Sequence, residues 1–534
     1  MGKHDEIGQF GQFEQFNRFM SAPNKPLMMP GRGICDQLVL DAPEHPLTIA
    51  PEHPLAIAKD VALHIDAMWK REMAAKRQRP YAYNRVSGVT FGLEIDYGKG
   101  YYVGKAAEDD GHVLVVGTNG SGKSAVIAQS TLESWRDPFV ALDIKGELSR
   151  QYQFLQAKWR ALRSYKVFDP LDGGIHYDPY AILKKDDPRF SQYVGEIADA
   201  IIPVPVKVSS DNEYWLKIAR NLLSGAIAYC FCKGMDFAET MAYVQATSTP
   251  GLSREIKSFP NALARMFVSE IHNLKPEQQA SVGTEMKNHT MVFATDSSIQ
   301  DALSNDGHSE MFSWDCLMSA EAPNIFLRLS QDRLEQWSGL IRLMVTQLIR
   351  QLERRPDKYS AEGYDTQPVL VLLDEFPMLG KIDVIKSGLT TLRSKNVTFC
   401  LILQSIAQLD DVYGADVRRI MVDNCQYKAI LNVTEPDSQE YFSKLFGMVP
   451  AGRRSVSMSG HPLRGVSFGG QVQECWEPLI FPHEFATNHH VLLHTPYGRF
   501  CAIKFPMATT YHPVPVFNEM IWHHLERVKD MGGI

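Results

Sequence analysis

Short apolar runs, each stopped by glycine or charged residues, recur along the chain from residue 113 onward, and helical periodicity fills the intervals between them. Residues 113–116, 138–144, 165–168, 324–329, 368–373 and 396–403 read as strands. The uninterrupted apolar run Val369–Leu373 suits a strand buried on both faces. Leu340, Leu343, Val345 and Leu348 mark a long helix after the fourth run. Strands alternating with helices predict an α/β fold with a mainly parallel central sheet. From about Phe190 to Met311 the pattern is helical throughout. Trp215, Ile218, Leu222, Ala226 and Tyr229 define one amphipathic helix, and Met286, Val292 and Phe293 lie near another. This interval predicts an all-α domain inserted into the α/β domain.

The first 80 or so residues differ. Phe10, Phe13, Phe16 and Phe19 recur at every third position, which places the rings along one drifting face of a helix weakened by Gly8 and Gly11. Such a stripe either docks on a partner helix or membrane surface, or covers an apolar patch on its own domain or a neighbouring subunit. Two copies of an octapeptide follow, at 42–49 and 50–57, as a proline-stiffened linker. Val61, Ile65 and Met68 then have helical spacing. That helix ends in Lys70, Arg71, Lys76, Arg77 and Arg79 before Pro80, where cations suit a solvated helix terminus.

The chemistry concentrates where the first strand ends. Gly117, Thr118, Asn119, Gly120, Ser121, Gly122, Lys123 and Ser124 spell G-x-x-x-x-G-K-[ST] between a strand and a helix, the context in which this pattern forms a phosphate-binding P-loop. Glycines let backbone N–H groups point at phosphate oxygens without obstruction, and the following helix adds its positive end. Lys123 reaches the β- and γ-phosphates, and Ser124 supplies a hydroxyl ligand for Mg²⁺. The strand 368–373 ends in Asp374 and Glu375. Asp374 is placed to complete the metal shell and Glu375 to orient and activate water. Gln404, at the tip of the strand 396–403, can sense the γ-phosphate. The polar strand tip 143–147 lies where ligands bind in parallel sheets. Arg393 carries a guanidinium suited to neutralising phosphoryl charge, either from its own chain or on a neighbouring subunit; its other reading is an ordinary helix-end cation. ATP and Mg²⁺ are the expected cofactors.

Composition narrows the partners. The 534 residues suffice for two or three domains, and 44% apolar content supports a sizeable core. The net charge of −7 excludes coating a duplex by bulk charge, so any nucleic-acid contact needs a local patch or a pore lining. The eight cysteines form no paired C-x-x-C motifs, which argues against structural zinc, and His483, His489, His490 and His494 match no ligand spacing. No apolar run reaches 18 residues, no signal-peptide core is present, and Glu6 stands where a myristoylation signal needs Ser or Thr. A soluble, cytoplasmic chain is expected.

Together these stretches resemble the type IV secretion coupling proteins, ring ATPases that hand DNA or proteins to conjugation and secretion channels. The similarity runs from about Gly111 to Pro513 through GTNGSGKS, VALDIKGEL, VFDPLDGGIHYDPYAIL, the helical insert, VLVLLDEFPMLGKI, TLRSKNVTFCLILQSIAQLDDVYG and CWEPLIFPHEF. The resemblance implies a RecA-like P-loop NTPase, a homo-hexameric ring, and substrates that are a relaxase-bound DNA strand, secreted proteins, or both. It makes Lys123, Ser124, Asp374 and Glu375 the two Walker motifs, Gln404 the sensor and Arg393 the inter-subunit arginine finger. The implied domains are an extension and linker without a transmembrane helix (1–86), the nucleotide-binding domain (87–189 and 312–534) and an all-α substrate-receiving domain (190–311). Most family members begin with a membrane anchor that is not seen here. The Phe10–Phe19 stripe is therefore expected to dock on inner-membrane components of the secretion apparatus, recruiting the chain peripherally. The rival expectations are a cytosolic double-stranded DNA translocase and a nucleotide-binding recruitment platform with little turnover.

Overall fold

The computed structural model describes residues 82–83, 87–93, 102–158, 163–204, 210–319, 321–360, 363, 366–461 and 465–504. The chain divides into two compact units, residues 1–78 and 79–534, and the described residues all belong to the second. The phenylalanine stripe, the octapeptide duplication and the basic helix lie outside them. No helix among the described residues is long and apolar enough to cross a membrane.

Among the described residues, twelve strands form one sheet. In chain order they are β1 (Ala82–Tyr83), β2 (Gly88–Leu93), β3 (Tyr102–Ala106), β4 (Val113–Val116), β5 (Phe139–Asp143), β6 (Tyr165–Phe168), β9 (Asn324–Arg328), β10 (Val369–Leu373), β11 (Val397–Leu403), β12 (Tyr427–Ile430), β15 (His490–Thr495) and β16 (Gly498–Ile503). Two short strands, β7 (His176–Tyr177) and β8 (Met311–Phe312), pair separately, as do β13 (Met448–His461) and β14 (Gly465–Pro478). The spatial order is β1-β3-β2-β16-β15-β12-β4-β11-β10-β5-β9-β6. Every pairing from β12 to β6 is parallel, and every pairing from β1 to β12 is antiparallel.

The parallel block explains the unbroken apolar runs. All residues of β4, β5, β10 and β11 are buried, so both faces are apolar apart from Asp143 and Thr398, each of which is hydrogen-bonded. Each sealed side chain of β10 contributes roughly 1.5–3 kcal/mol, which makes this strand a stiff support for the carboxylates at its end. The order β4-β11-β10 has a functional consequence. Leu403 pairs with Val116 and Leu401 with Leu373, so the tip of β11 lies between the P-loop and Asp374–Glu375.

Between Phe190 and Leu303 the described residues contain helices and turns and no strand. The helix marked by Trp215 and Leu222 runs Ser210–Lys233, and the one holding Met286 and Phe293 runs Pro276–Thr295. Asp236 and Glu239 close a capping box at Phe237–Ala246, and Asp296 caps Ser297–Leu303. Entry and exit of the helical stretch are clasped by β7 and β8, where Tyr177, Phe312 and Trp314 pack ring against ring. The antiparallel flank and the hairpin β13–β14, with fourteen residues in each strand, were not expected from the pattern.

Candidate active site

The P-loop is tied to two strand tips before it turns. Gly117 N–H donates to Leu403 O at 3.2 Å and Thr118 N–H to Asn432 O at 2.7 Å. At Gly117 a Cβ would lie 2.6 Å from Ser121 Oγ and 2.9 Å from Leu431 Cβ, so no larger residue fits. Gly122 has φ 100°, a left-handed conformation that glycine adopts without strain. The next turn, Lys123–Ala128, is π-helical: Gln129 N–H reaches back to Ser124 O. Such wide turns are common at functional sites.

Lys123 is buried, and its Nζ donates to Gly117 O at 2.7 Å and Thr118 O at 3.1 Å. Burial lowers its pKa, and the nearby Glu375 and Asp374 carboxylates oppose that shift. Ser124 Oγ donates to Asp374 Oδ2 at 2.9 Å. Burial pushes the Asp374 carboxyl up to about 6; Glu375 adds to the shift, while Ser124, Lys123 and Lys145 resist it. Glu375 is one of two described non-glycine residues with positive φ, at 52°, and its N–H bonds Asp374 Oδ1 at 3.1 Å. A non-glycine residue held there stores strain, as functional sites often do. Gln404 Nε2 donates to Glu375 Oε2 at 3.0 Å.

The residues present fit a nucleoside triphosphate with Mg²⁺. Ser124 and Asp374 offer two hard oxygen ligands close together, the donor type Mg²⁺ prefers. Ser121 Oγ is buried in the loop without a hydrogen-bond partner, a polar group that a phosphate oxygen would satisfy. One strand edge thus collects Lys123, Ser124, Asp374, Glu375 and Gln404.

Arg393 is elsewhere. It is exposed on the turn Leu392–Lys395, which precedes β11 at the opposite edge of the sheet. Seven residues of β11 separate that edge from Gln404, a span of roughly 20 Å. Nearby, Lys358 pairs with Asp110 at 2.5 Å and Tyr359 also donates to Asp110. Although burial opposes it, these contacts hold the Asp110 carboxyl below its ordinary range, with Arg393 contributing. Arg393 therefore does not serve its own P-loop and is accessible to another molecule.

Two lysines at the site escaped the motif reading. Lys504, just beyond β16, donates to Ser121 O at 2.9 Å and Asn432 Oδ1 at 3.1 Å. Lys145, beyond the tip of β5, lies 3.6 Å from Glu375 Oε1. Lys504 had no local signal. Lys145 sat in a polar strand tip already assigned to the site's edge.

A family model described as Type IV secretory system Conjugative DNA transfer matches residues 66–489. The chain belongs to this conjugative DNA transfer family. Among its relatives, the conjugal transfer protein TraG of Escherichia coli is 26% identical over 469 residues, covering 79% of this chain and 70% of TraG. Protein VirD4 of Rhizobium rhizogenes is 23% identical over 421 residues, and the match covers 75% of this chain but 58% of VirD4. Among solved structures, plasmid coupling protein TrwB in complex with the non-hydrolysable ATP analogue ADPNP aligns with TM-score 0.60 at 15% identity, covering 81% of this chain and 92% of TrwB. That likeness establishes the shared fold, a RecA-like P-loop domain with a helical domain.

Proposed function

We propose that the chain is an ATP-hydrolysing coupling protein of a conjugative type IV secretion system, working as a homo-hexameric ring. The observation that carries this reading is the convergence of Ser124, Asp374, Glu375 and Gln404 beside the P-loop, in a chain whose family moves DNA. TrwB, named above with an ATP analogue, supports ATP as the nucleotide.

The chain's own groups divide the work. P-loop amides and Lys123 bind and orient the phosphates. Ser124 and Asp374 would hold Mg²⁺, which would supply positive charge to offset that of the phosphates. Glu375 positions water and accepts its proton, and Gln404 holds the Glu375 carboxylate in place. Arg393, exposed at the far edge, stabilises phosphoryl charge at a neighbour's site. The substrates are a relaxase-bound DNA strand, secreted proteins, or both. The Phe10, Phe13, Phe16 and Phe19 stripe docks the chain on inner-membrane components, so that it is cytoplasmic and peripherally recruited.

The test measures ATPase activity of the purified protein and of Glu375→Gln, with single-stranded DNA, duplex DNA and no DNA, and follows assembly by electron microscopy. The reading expects turnover that Glu375→Gln lowers by about 100-fold or more, together with ring particles. Nucleotide binding without turnover would instead identify a recruitment platform. Strong stimulation by duplex DNA, without dependence on secretion components, would identify a translocase outside secretion.

A further inference from the structure

We infer that Asp110 is a positioning residue for Arg393: with Lys358 and Tyr359 it clamps the turn Leu392–Lys395 in the place from which the guanidinium serves a neighbouring subunit. This rests on the role of Arg393 proposed above.

Arg393 is exposed, and among the described residues its side chain makes no hydrogen bond or ion pair. Its placement is therefore set by the backbone that carries it. That backbone is held before and after the turn. Before it, His112 Nδ1 accepts from Phe399 N–H at 3.1 Å, so Nε2 carries the proton and donates to Leu389 O at 2.9 Å in the helix Val384–Thr391. Thr391 Oγ1 donates to Glu353 Oε1 at 3.1 Å. After it, Asn396 has φ 57°, a left-handed conformation that asparagine tolerates. Its O accepts from Val369 N–H at 3.0 Å and its Nδ2 donates to Thr366 O at 2.7 Å.

The middle of the turn is held by one backbone bond, from Lys358 N–H to Ser394 O at 2.8 Å. Asp110 secures the segment that supplies this bond. Lys358 Nζ lies 2.5 Å from Asp110 Oδ1 and donates to Glu108 O at 3.2 Å, and Tyr359 Oη donates to Asp110 Oδ2. The Lys358 side chain is only 13% exposed, so this is not a freely solvated surface pair. The Asp110 loop is itself anchored. Buried Lys105 donates from Nζ to Asp109 O at 2.7 Å and to Thr398 Oγ1 at 2.9 Å, tying the loop to the start of β11.

Arg393 lies beside this clamp. Burial raises the Tyr359 phenol to about 12, Asp110 adds to the rise, and the Arg393 charge opposes it. With Asp110 engaged, Lys358 and Tyr359 cannot swing from the sheet without breaking an ion pair and a hydrogen bond. Misplacing a catalytic group by about 1 Å costs on the order of 100-fold in rate, so a support of this kind matters to a guanidinium that reaches across an interface. The clamp and its own P-loop stand at opposite ends of β4, which lets the two be tested apart.

The test uses the full chain in mixed rings verified by differential tagging. Acceptor chains carry Arg393→Ala and donor chains carry Lys123→Ala, so hydrolysis requires a donor's Arg393 at an acceptor's P-loop. Asp110→Ala is then added to one chain or the other, and ATP affinity and kcat are measured. In the donor it is expected to lower the recovered kcat by roughly 10- to 100-fold. In the acceptor it is expected to leave kcat and ATP affinity within about twofold, because the clamp is remote from its own P-loop. Tyr359→Phe, at an exposed position, tests the same dependence should Asp110→Ala fail to fold; in the donor it should cost about threefold or more, and in the acceptor nothing measurable. Undiminished recovery with either substitution in the donor would overturn this inference alone. So would an equal loss in both placements, which a merely structural role produces. Verified mixed rings that recover no hydrolysis even without these substitutions would overturn the role of Arg393 at a neighbour's site and this inference with it.

Discussion

Asp374 is held in a state that costs the fold stability, and Asp374→Asn should reveal that cost. Burial raises its carboxyl from 3.8 to about 6. A carboxyl whose folded pKa is raised binds a proton in the native state where the unfolded chain does not. Its contribution to stability therefore grows as pH falls through about 6 and is complete below about 4. Near pH 7.5 the ionised group costs up to about 3 kcal/mol, from a shift of about two units at 1.36 kcal/mol each. Asparagine keeps an oxygen for the Ser124 hydroxyl and never ionises. Lys123 loses an opposing charge in the variant, which reduces the net gain to about 1–3 kcal/mol. For a domain of this size that corresponds to roughly 2–6 °C in Tm. The assay is thermal unfolding of nucleotide-free wild type and variant at pH 7.5, 6 and 4. The variant should be more stable at pH 7.5, and the difference should shrink as pH falls. It should also lose the extra stabilisation that Mg²⁺ with ATP gives the wild type. Equal or lower stability at pH 7.5, or a difference independent of pH, would refute the reasoning.

Two further outcomes follow from the same structure. Lys504→Met removes the bonds from Lys504 to Ser121 O and Asn432 Oδ1, freeing the tip of the P-loop; KM for ATP should rise by about 3- to 10-fold with the far-ultraviolet spectrum unchanged, and an unaltered KM would show that Lys504 does not shape the loop. Deleting residues 1–22 should abolish membrane association in cells carrying an intact secretion apparatus, as measured by fractionation, and unchanged association would sink docking through the phenylalanine stripe.

How much of this was legible in the residues depended on how locally each feature is encoded. The P-loop was readable because the phosphate cradle needs eight consecutive residues, Gly117 to Ser124. Asp374 and Glu375 were readable because a strand sealed on both faces has a uniform apolar sequence, and the first polar residues beyond it mark the ligand edge. Gln404 was readable for the same reason, and β11 brings it to Glu375. The hairpin β13–β14 was not, because its serines, glycines and arginines show no apolar alternation. The antiparallel flank was missed because β2, β3 and β16 interrupt their apolar residues with glycine, lysine or arginine. Lys504 lies 383 residues from Ser121, a pairing that only the assembled sheet creates. The position of Arg393 depends on strand direction: it precedes β11, and the P-loop lies beyond that strand's other end.

That separation requires the proposed role of Arg393 to be played at a neighbouring subunit's P-loop. The most direct measurement mixes Lys123→Ala protein, which lacks the phosphate-binding amine, with Arg393→Ala protein, which lacks the exposed guanidinium. Each alone should be inactive as an ATPase. Mixed rings, verified by differential tagging, should regain partial activity where an intact P-loop meets an intact Arg393 from its neighbour. Verified mixed rings with no recovered hydrolysis would contradict the account.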